Sequence, residues 1–222
     1  MYGRKYGNHE LTFEASGGLI NASLVLQDRE TDTYWSIMAG KAISGLKAGT
    51  QLKELSLGKK MRWADWKKMH PDTRVLSVYG QEDSRDSYKD YWKNQKGYRG
   101  IAATDKRMKT KEPIFAFKLD GVPYAVAQKK LTNGVSFKAG DLQLFFYRGK
   151  KDKLFASTAA FSGSNFIKKG NQWVDAQSDC IFDASAGRFS GTSGRCPTPL
   201  TGFDTFWYNW SLNNPETKIL GE

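Results

Sequence analysis

Histidine and cysteine are scarce in this 222-residue chain, two of each, and the scarcity removes much of the usual chemistry. His9 and His70 stand in no His-x-x-x-His spacing, and Cys180 and Cys196 in no Cys-x-x-Cys spacing, so no dedicated metal site is expected. A Ser-His or Cys-His pair would have to be assembled from distant segments, and no Gly-x-Ser-x-Gly elbow nominates one. Neither Gly-x-Gly-x-x-Gly nor a phosphate-loop pattern occurs, so no cofactor is expected. No apolar run approaches the roughly 18 to 20 residues of a membrane-spanning helix. The opening "MYGRKYGNHE" shows no apolar stretch after a basic start, so no secretory signal is visible.

What the chain has in excess is positive charge, +11, and aromatic residues, 14%. The charge favours an anionic partner or surface. The lysines are nevertheless scattered, as a solubility coat would be, and no zinc-finger, helix-turn-helix or RNA-binding strand signature argues for nucleic acid. The expected partner is therefore a small molecule or an anionic partner. Fifteen residues separate Cys180 and Cys196. In an oxidising compartment a bridge between them would stabilise the fold by roughly 3 kcal/mol. Two free buried thiols are the other reading.

The strongest internal signal is a repeat. "DRETDTYWSIMAGKAISG" from Asp28 aligns with "DAQSDCIFDASAGRFSG" from Asp175 after one deleted residue, matching Asp28, Asp32 and Trp35 to Asp175, Asp179 and Phe182. "WADWKKMHPDTRVL" from Trp63 aligns without a gap to "WYNWSLNNPETKIL" from Trp207. An internal duplication follows. The first copy spans 11–77, a long loop and hairpin region 78–155, and the second copy 156–222. Thr33 stands where the second copy has Cys180, so the repeated unit does not itself need the cysteine pair.

Along the chain, "LTFEAS" and "ASLVLQ" read as a strand pair turning at Gly17-Gly18, followed by strands at "TYWSIM", "KAIS" and "TQLKELS". Each copy then ends in a short helix. Trp63 and Trp66, and likewise Trp207 and Trp210, form its apolar stripe, Pro71 and Pro215 its stop, and Asp204 or Thr205 caps the second helix. All four indoles are expected in the core. "IFAFKLDGVPYAVA" alternates about Asp120-Gly121, a type I′ hairpin signal. The polar stretch from Tyr79 to Lys111 is too rich in Tyr and Trp for a tether and reads as an ordered functional loop. The fold class is α+β with mostly antiparallel strands, the duplicated meander-plus-helix units packed into one compact body.

Two groups of residues are candidates for function. Asp28 and Asp32, with Asn21 and Arg29 as orienting groups, form a carboxylate constellation suited to acid/base work or a hard cation. Turn capping by the aspartates is the plainer reading. Tyr88, Tyr91, Trp92, Tyr98 and Arg99 in the polar loop are of the type that stacks on ligands.

The run from "LTFEASGGLINASLVLQDRETDTYWSIMAGKAISG" to "MRWADWKKMHPDTRVLS" resembles the bacterial family catalogued as domain of unknown function 3179. The likeness lies in Asn21, Ser23, Asp28, Arg29 and Thr31, in the Trp35-Ser36 pair and in the Trp-x-x-Trp-x-x-x-x-Pro-x-Thr ending. It is close over Leu11 to Ser77 and looser through Leu220. It implies a largely β fold and frequent export, hence a periplasmic or extracellular site of action, and no established reaction. Relatives usually carry a Cys-Pro-x-Cys-Gly segment ahead of "LTFEAS" that is not found here, so a redox or metal role for that segment does not carry over. The leading expectation is a non-catalytic ligand- or partner-binding domain with its groove beside the Tyr79–Lys111 loop. An enzyme using Asp28 or Asp32 is the alternative, and an electrostatic nucleic-acid binder the weaker one.

Overall fold

"IFAF" at Ile114–Phe117 and "LFF" at Leu144–Phe146 are apolar without interruption, the pattern of strands covered on both faces. The computed structural model describes residues 2–55, 63–77, 88–149, 158–192 and 195–222, and it places both runs in inner layers. β7 (Pro113–Leu119) and β8 (Val122–Ala127) pair about Asp120 and Gly121, both at positive φ as a type I′ turn requires. β17 (Gly202–Phe206) joins β7, and β18 (Lys218–Ile219) joins β8 as a parallel pair, giving the sheet order β17-β7-β8-β18. A second sheet contains β9 (Val135–Ala139), β10 (Leu142–Tyr147), β11 (Ala159–Gly163) and β16 (Thr198–Pro199) in the order β16-β11-β10-β9.

Strand alternation then assigns each side chain to a layer. Ile114, Ala116 and Ala125 lie under Trp207, Tyr208 and Trp210 of helix α3 (Trp207–Ser211). Phe115, Phe117 and Val126 face the other way, onto Leu144 and Phe146. Phe145 and Phe161 project from the far side of the second sheet onto Phe166, Cys180, Phe182 and Phe189. These belong to an antiparallel meander of β12 (Phe166–Lys169), β13 (Gln172–Asp175), β14 (Cys180–Asp183) and β15 (Arg188–Ser190). The Cys180–Cys196 disulfide pins β14 to the segment leading into β16.

Another meander lies at the start of the chain, after the ribbon of β1 (Lys5–Tyr6) and β2 (His9–Glu10). It comprises β3 (Phe13–Ile20), β4 (Ser23–Asp28), β5 (Tyr34–Ser36) and β6 (Lys41–Ser44), with its own small core of Leu11, Trp35, Ala42 and Leu52. Among the described residues, side-chain hydrogen bonds tie it to the end of α3 and to β7. Asn21 Nδ2 donates to the Leu212 carbonyl (2.9 Å), Asn214 Nδ2 to Met38 (3.1 Å) and Lys118 Nζ to Ala39 (2.7 Å).

The two meanders correspond in register. Gln27 faces Tyr34, Trp35 faces Ala42 and Ser36 faces Lys41; at the same offsets Val174 faces Ile181, Phe182 faces Phe189 and Asp183 faces Arg188. Asp32 and Asp179 both have φ 54°, and Gly40 and Gly187 have φ 67° and 62°. The one-residue gap in the alignment falls where the β5–β6 ladder shifts register and the β14–β15 ladder does not. The segments after the meanders do not correspond. Trp207 and Trp210 are buried as expected, whereas Trp63 of α1 (Trp63–Met69) is half exposed and Trp66 only partly covered. Placing all four indoles in the core is therefore corrected, because helical spacing defines a stripe and leaves open what covers it. Pro71 follows α1 beyond His70, and Pro215 lies past the turn that continues α3.

Three local expectations also change. Gly17 does not turn the first hairpin; it forms a bulge inside β3, and the turn is Asn21-Ala22, at φ 49° and 60°. The described residues of "TQLKELS", 50–55, make isolated bridges at Gln51 and Glu54 and no extended strand. Asp204 lies on β17, opposite Phe115, and does not cap α3, whose N-cap is Phe206 without a side-chain bond. Of the Tyr79–Lys111 loop, residues 79–87 lie outside the described residues; the remainder contains α2 (Lys89–Lys93) and a 3-10 turn at Tyr98–Gly100.

Candidate ligand-binding cleft

The second meander packs on Phe145, and a recess remains between its β12–β13 turn and β14, because the β13–β14 ladder stops at Val174. Trp173 lies there, with its ring 5.1 Å from Phe145, and its Nε1–H donates to the Asn133 carbonyl (2.9 Å). Gly134 permits that approach, since a Cβ there would come within 2.3 Å of Trp173 Nε1 and the residue has φ +88°. Tyr147, at the end of β10, packs on Phe182 at 4.9 Å. Together these groups form the base of a cleft of 810 Å³. Its rim carries the amides of Asn133, Asn171 and Gln172 and the hydroxyls of Ser190 and Thr192. Among the described residues that line it, the charged side chains are Lys168 and Asp183, one of each sign, so this lining is close to neutral although the chain is strongly basic. Hydrogen bonds from the Ser185 hydroxyl and from the Ala186 and Ser185 amides hold the Asp183 carboxyl below its ordinary range. Sequence reasoning missed this site. The available signal was a departure from the aligned pattern: at the offset that matches Asp28 to Asp175, Trp173 stands where the first meander has Leu26.

The carboxylate constellation is not assembled. Asp28 is fully buried, with Oδ1 accepting from the Thr31 amide (2.6 Å) and hydroxyl (2.7 Å) and Oδ2 from Trp35 Nε1 (2.7 Å). Burial raises its pKa, but the Thr31, Trp35 and Thr33 hydrogen bonds outweigh that and lower it overall. Asp32 accepts from Gln27 Nε2, and Arg29 pairs with Glu14 (2.6 Å) on the surface. Asn21 is at the opposite end of β4, held to Leu212. These contacts tie the aspartates to their own turn, so the four groups do not converge on one point.

The second meander repeats the turn with one donor fewer. Asp175 Oδ2 accepts from the Ser178 amide (3.2 Å) and hydroxyl (2.5 Å), but Phe182, in the place of Trp35, offers no N–H, and Oδ1 is buried without a partner. Asp28→Asn is therefore expected to cost about 2–3 kcal/mol, since an amide N–H2 would meet the donors of Thr31 or Trp35. Asp175→Asn should change stability by less than about 1 kcal/mol, because it removes a buried charge with few partners. Because the folded pKa of Asp28 is depressed, its contribution is present above the unfolded carboxyl pKa of about 3.9 and is lost as pH falls through the folded value. Urea titrations at neutral and acidic pH should show the wild type losing this increment and Asp28→Asn lacking it.

The aromatic residues of the polar loop serve packing first. The Lys111 ammonium is buried 3.8 Å from the Tyr91 ring, near Trp92 and Phe206, and donates to the carbonyls of Asn94 (3.0 Å) and Tyr91 at the end of α2. Burial lowers its pKa. Tyr91 shares a hydrogen bond with the Tyr208 hydroxyl (3.1 Å), which also accepts from the Tyr98 amide (3.2 Å). Arg99 lies over Tyr98 at 5.5 Å, while Tyr88 and Trp92 keep exposed faces. A smaller concavity of 580 Å³, lined by Gln95 and residues 106–110, adjoins this loop, and none of the five named residues lines either cleft.

Among the described residues, no group of three or more His, Cys, Asp or Glu is placed to hold a metal ion. No described helix is long and apolar enough to cross a membrane. Neither the curated proteins nor the solved structures contain a match to the chain. A family model, described as "Protein of unknown function (DUF3179)", matches residues 1–217, and the chain belongs to that family.

Proposed function

We propose that this chain is a non-catalytic, exported binding domain built on a duplicated meander, and that its ligand seat is the cleft over Trp173. The cleft's composition carries the proposal. Amides and hydroxyls surround a partly exposed indole with balanced charge, which suits a neutral, polyhydroxylated ligand such as a saccharide. A loop held by Asn133 and Gly134 on one side and the β12–β13 turn on the other makes the seat preformed. The matching registers and turn conformations of the two meanders support descent from one duplicated unit. The disulfide is in keeping with an oxidising compartment outside the cytoplasm.

The test is a titration of neutral mono- and oligosaccharides followed by amide NMR shifts. Shifts clustering on Asn133, Gln172 and Trp173 are expected, with Trp173→Ala weakening binding about tenfold, the equivalent of roughly 1.4 kcal/mol. Shifts that ignore these residues, or that persist unchanged in Trp173→Ala, would refute the assignment.

A further inference from the structure

Fourteen residues with one apolar pattern occur twice in this chain and have opposite fates. In 207–220 the pattern is interior: Trp207 is 0% exposed, Trp210 2% and Leu220 8%. There α3 covers the central sheet, and the chain after it adds β18 to β8, with the Leu220 amide donating to Ala125 (2.9 Å). In 63–76 the corresponding Trp63 is 50% exposed and Leu76 93%, while Val75, matching Ile219, is 66% exposed and Met69 48%. So many large apolar groups held outward in one short stretch mark a surface that something covers.

Charge identifies what covers it. Lys67 and Lys68 are exposed in the last turn of α1 and Arg74 adjoins Val75, while Asp65 and Asp72 bring the net charge of the stretch to +1. The exposed Tyr88 at the start of α2 and Trp92 within it are likewise interleaved with Lys89, Lys93 and Lys96, against the single carboxylate of Asp90. A second copy would bring one chain of net charge +11 against another. An anionic bilayer matches both properties. Indoles and phenols settle at the headgroup boundary, aliphatic side chains enter just below it, and lysines reach anionic headgroups.

We infer that residues 63–76 are a membrane-docking element that holds this domain peripherally on an anionic lipid surface. Trp63, Met69, Val75 and Leu76 insert at the interface, and Lys67, Lys68 and Arg74 supply the attraction. Shallow insertion of four apolar side chains, helped by a small net positive charge, makes the attachment reversible and sensitive to salt.

The full chain is mixed with vesicles of phosphatidylcholine alone, or of phosphatidylcholine with phosphatidylglycerol, and sedimented while indole emission is read. Binding to the anionic vesicles with a blue shift is expected, weakened at least about tenfold by high salt or neutral lipid. Trp63→Ala/Leu76→Ser should keep its thermal midpoint, because both side chains are exposed, and lose at least about tenfold in vesicle affinity. Lys67→Ala/Lys68→Ala should abolish the preference for anionic lipid. No sedimentation at low salt, or equal binding by the Trp63/Leu76 variant, overturns the inference. So does a dimer that this variant abolishes, which would give the face to a second copy.

Discussion

Asp204→Ala is expected to destabilise the fold by about 3–5 kcal/mol, the usual cost of removing one partner from a buried ion pair. Asp204 and Arg148 are both almost fully buried, with Nη1 3.4 Å from Oδ1. The same carboxylate accepts from the Thr158 hydroxyl (2.6 Å) and amide (3.1 Å) and from Gln128 Nε2 (2.7 Å), which also donates to Ile114 (3.2 Å). It therefore joins β17, β7 and the ends of β10 and β11 in one network. Alanine deprives a buried cation and three donors of their shared acceptor. Asp204→Asn should cost less, since the amide oxygen keeps part of the acceptor role. The paired replacement Arg148→Met/Asp204→Leu should recover much of the loss, because it removes the desolvated charges together. Urea unfolding of the four proteins decides it: a double variant as unstable as Asp204→Ala would show that the network's geometry, and not its charge balance, matters.

Trp207→Ala is expected to cost about 3–5 kcal/mol and Trp63→Ala less than about 0.5 kcal/mol, although both open the same sequence pattern. Trp207 fills the space between α3 and the central sheet, and its Nε1–H donates to the Asp105 carbonyl (3.0 Å). Truncation leaves a cavity and an acceptor without its donor. Trp63 keeps half of its surface in water, so its truncation opens no enclosed cavity. Chemical unfolding with near-ultraviolet dichroism separates the cases, and equal losses would mean that the first helix is anchored as firmly as the second.

The strands were easy to read where local pattern and burial agree. Asp120-Gly121 demands a type I′ turn, and the apolar runs on either side can only be inner strands. Asp28 and Asp175 were readable as turn residues because an aspartate three residues before a hydroxyl or amide donor closes its own loop. The first hairpin was misread because glycine serves a bulge as well as a turn, and Asn21-Ala22 accepts the left-handed conformation without one. Asp204 was misread because three donors that reach it, Gln128, Arg148 and Thr158, come from segments 46 to 76 residues away.

By itself the sequence determined the β-rich class, the aspartate turns of the two meanders and the family, since each rests on neighbours within a few residues or on direct resemblance. Only the tertiary structure decided which tryptophans are core, where the cleft opens and whether the cysteines pair. Burial is a property of what packs against a residue, and an amphipathic stripe is the same stripe whether a sheet covers it or water does.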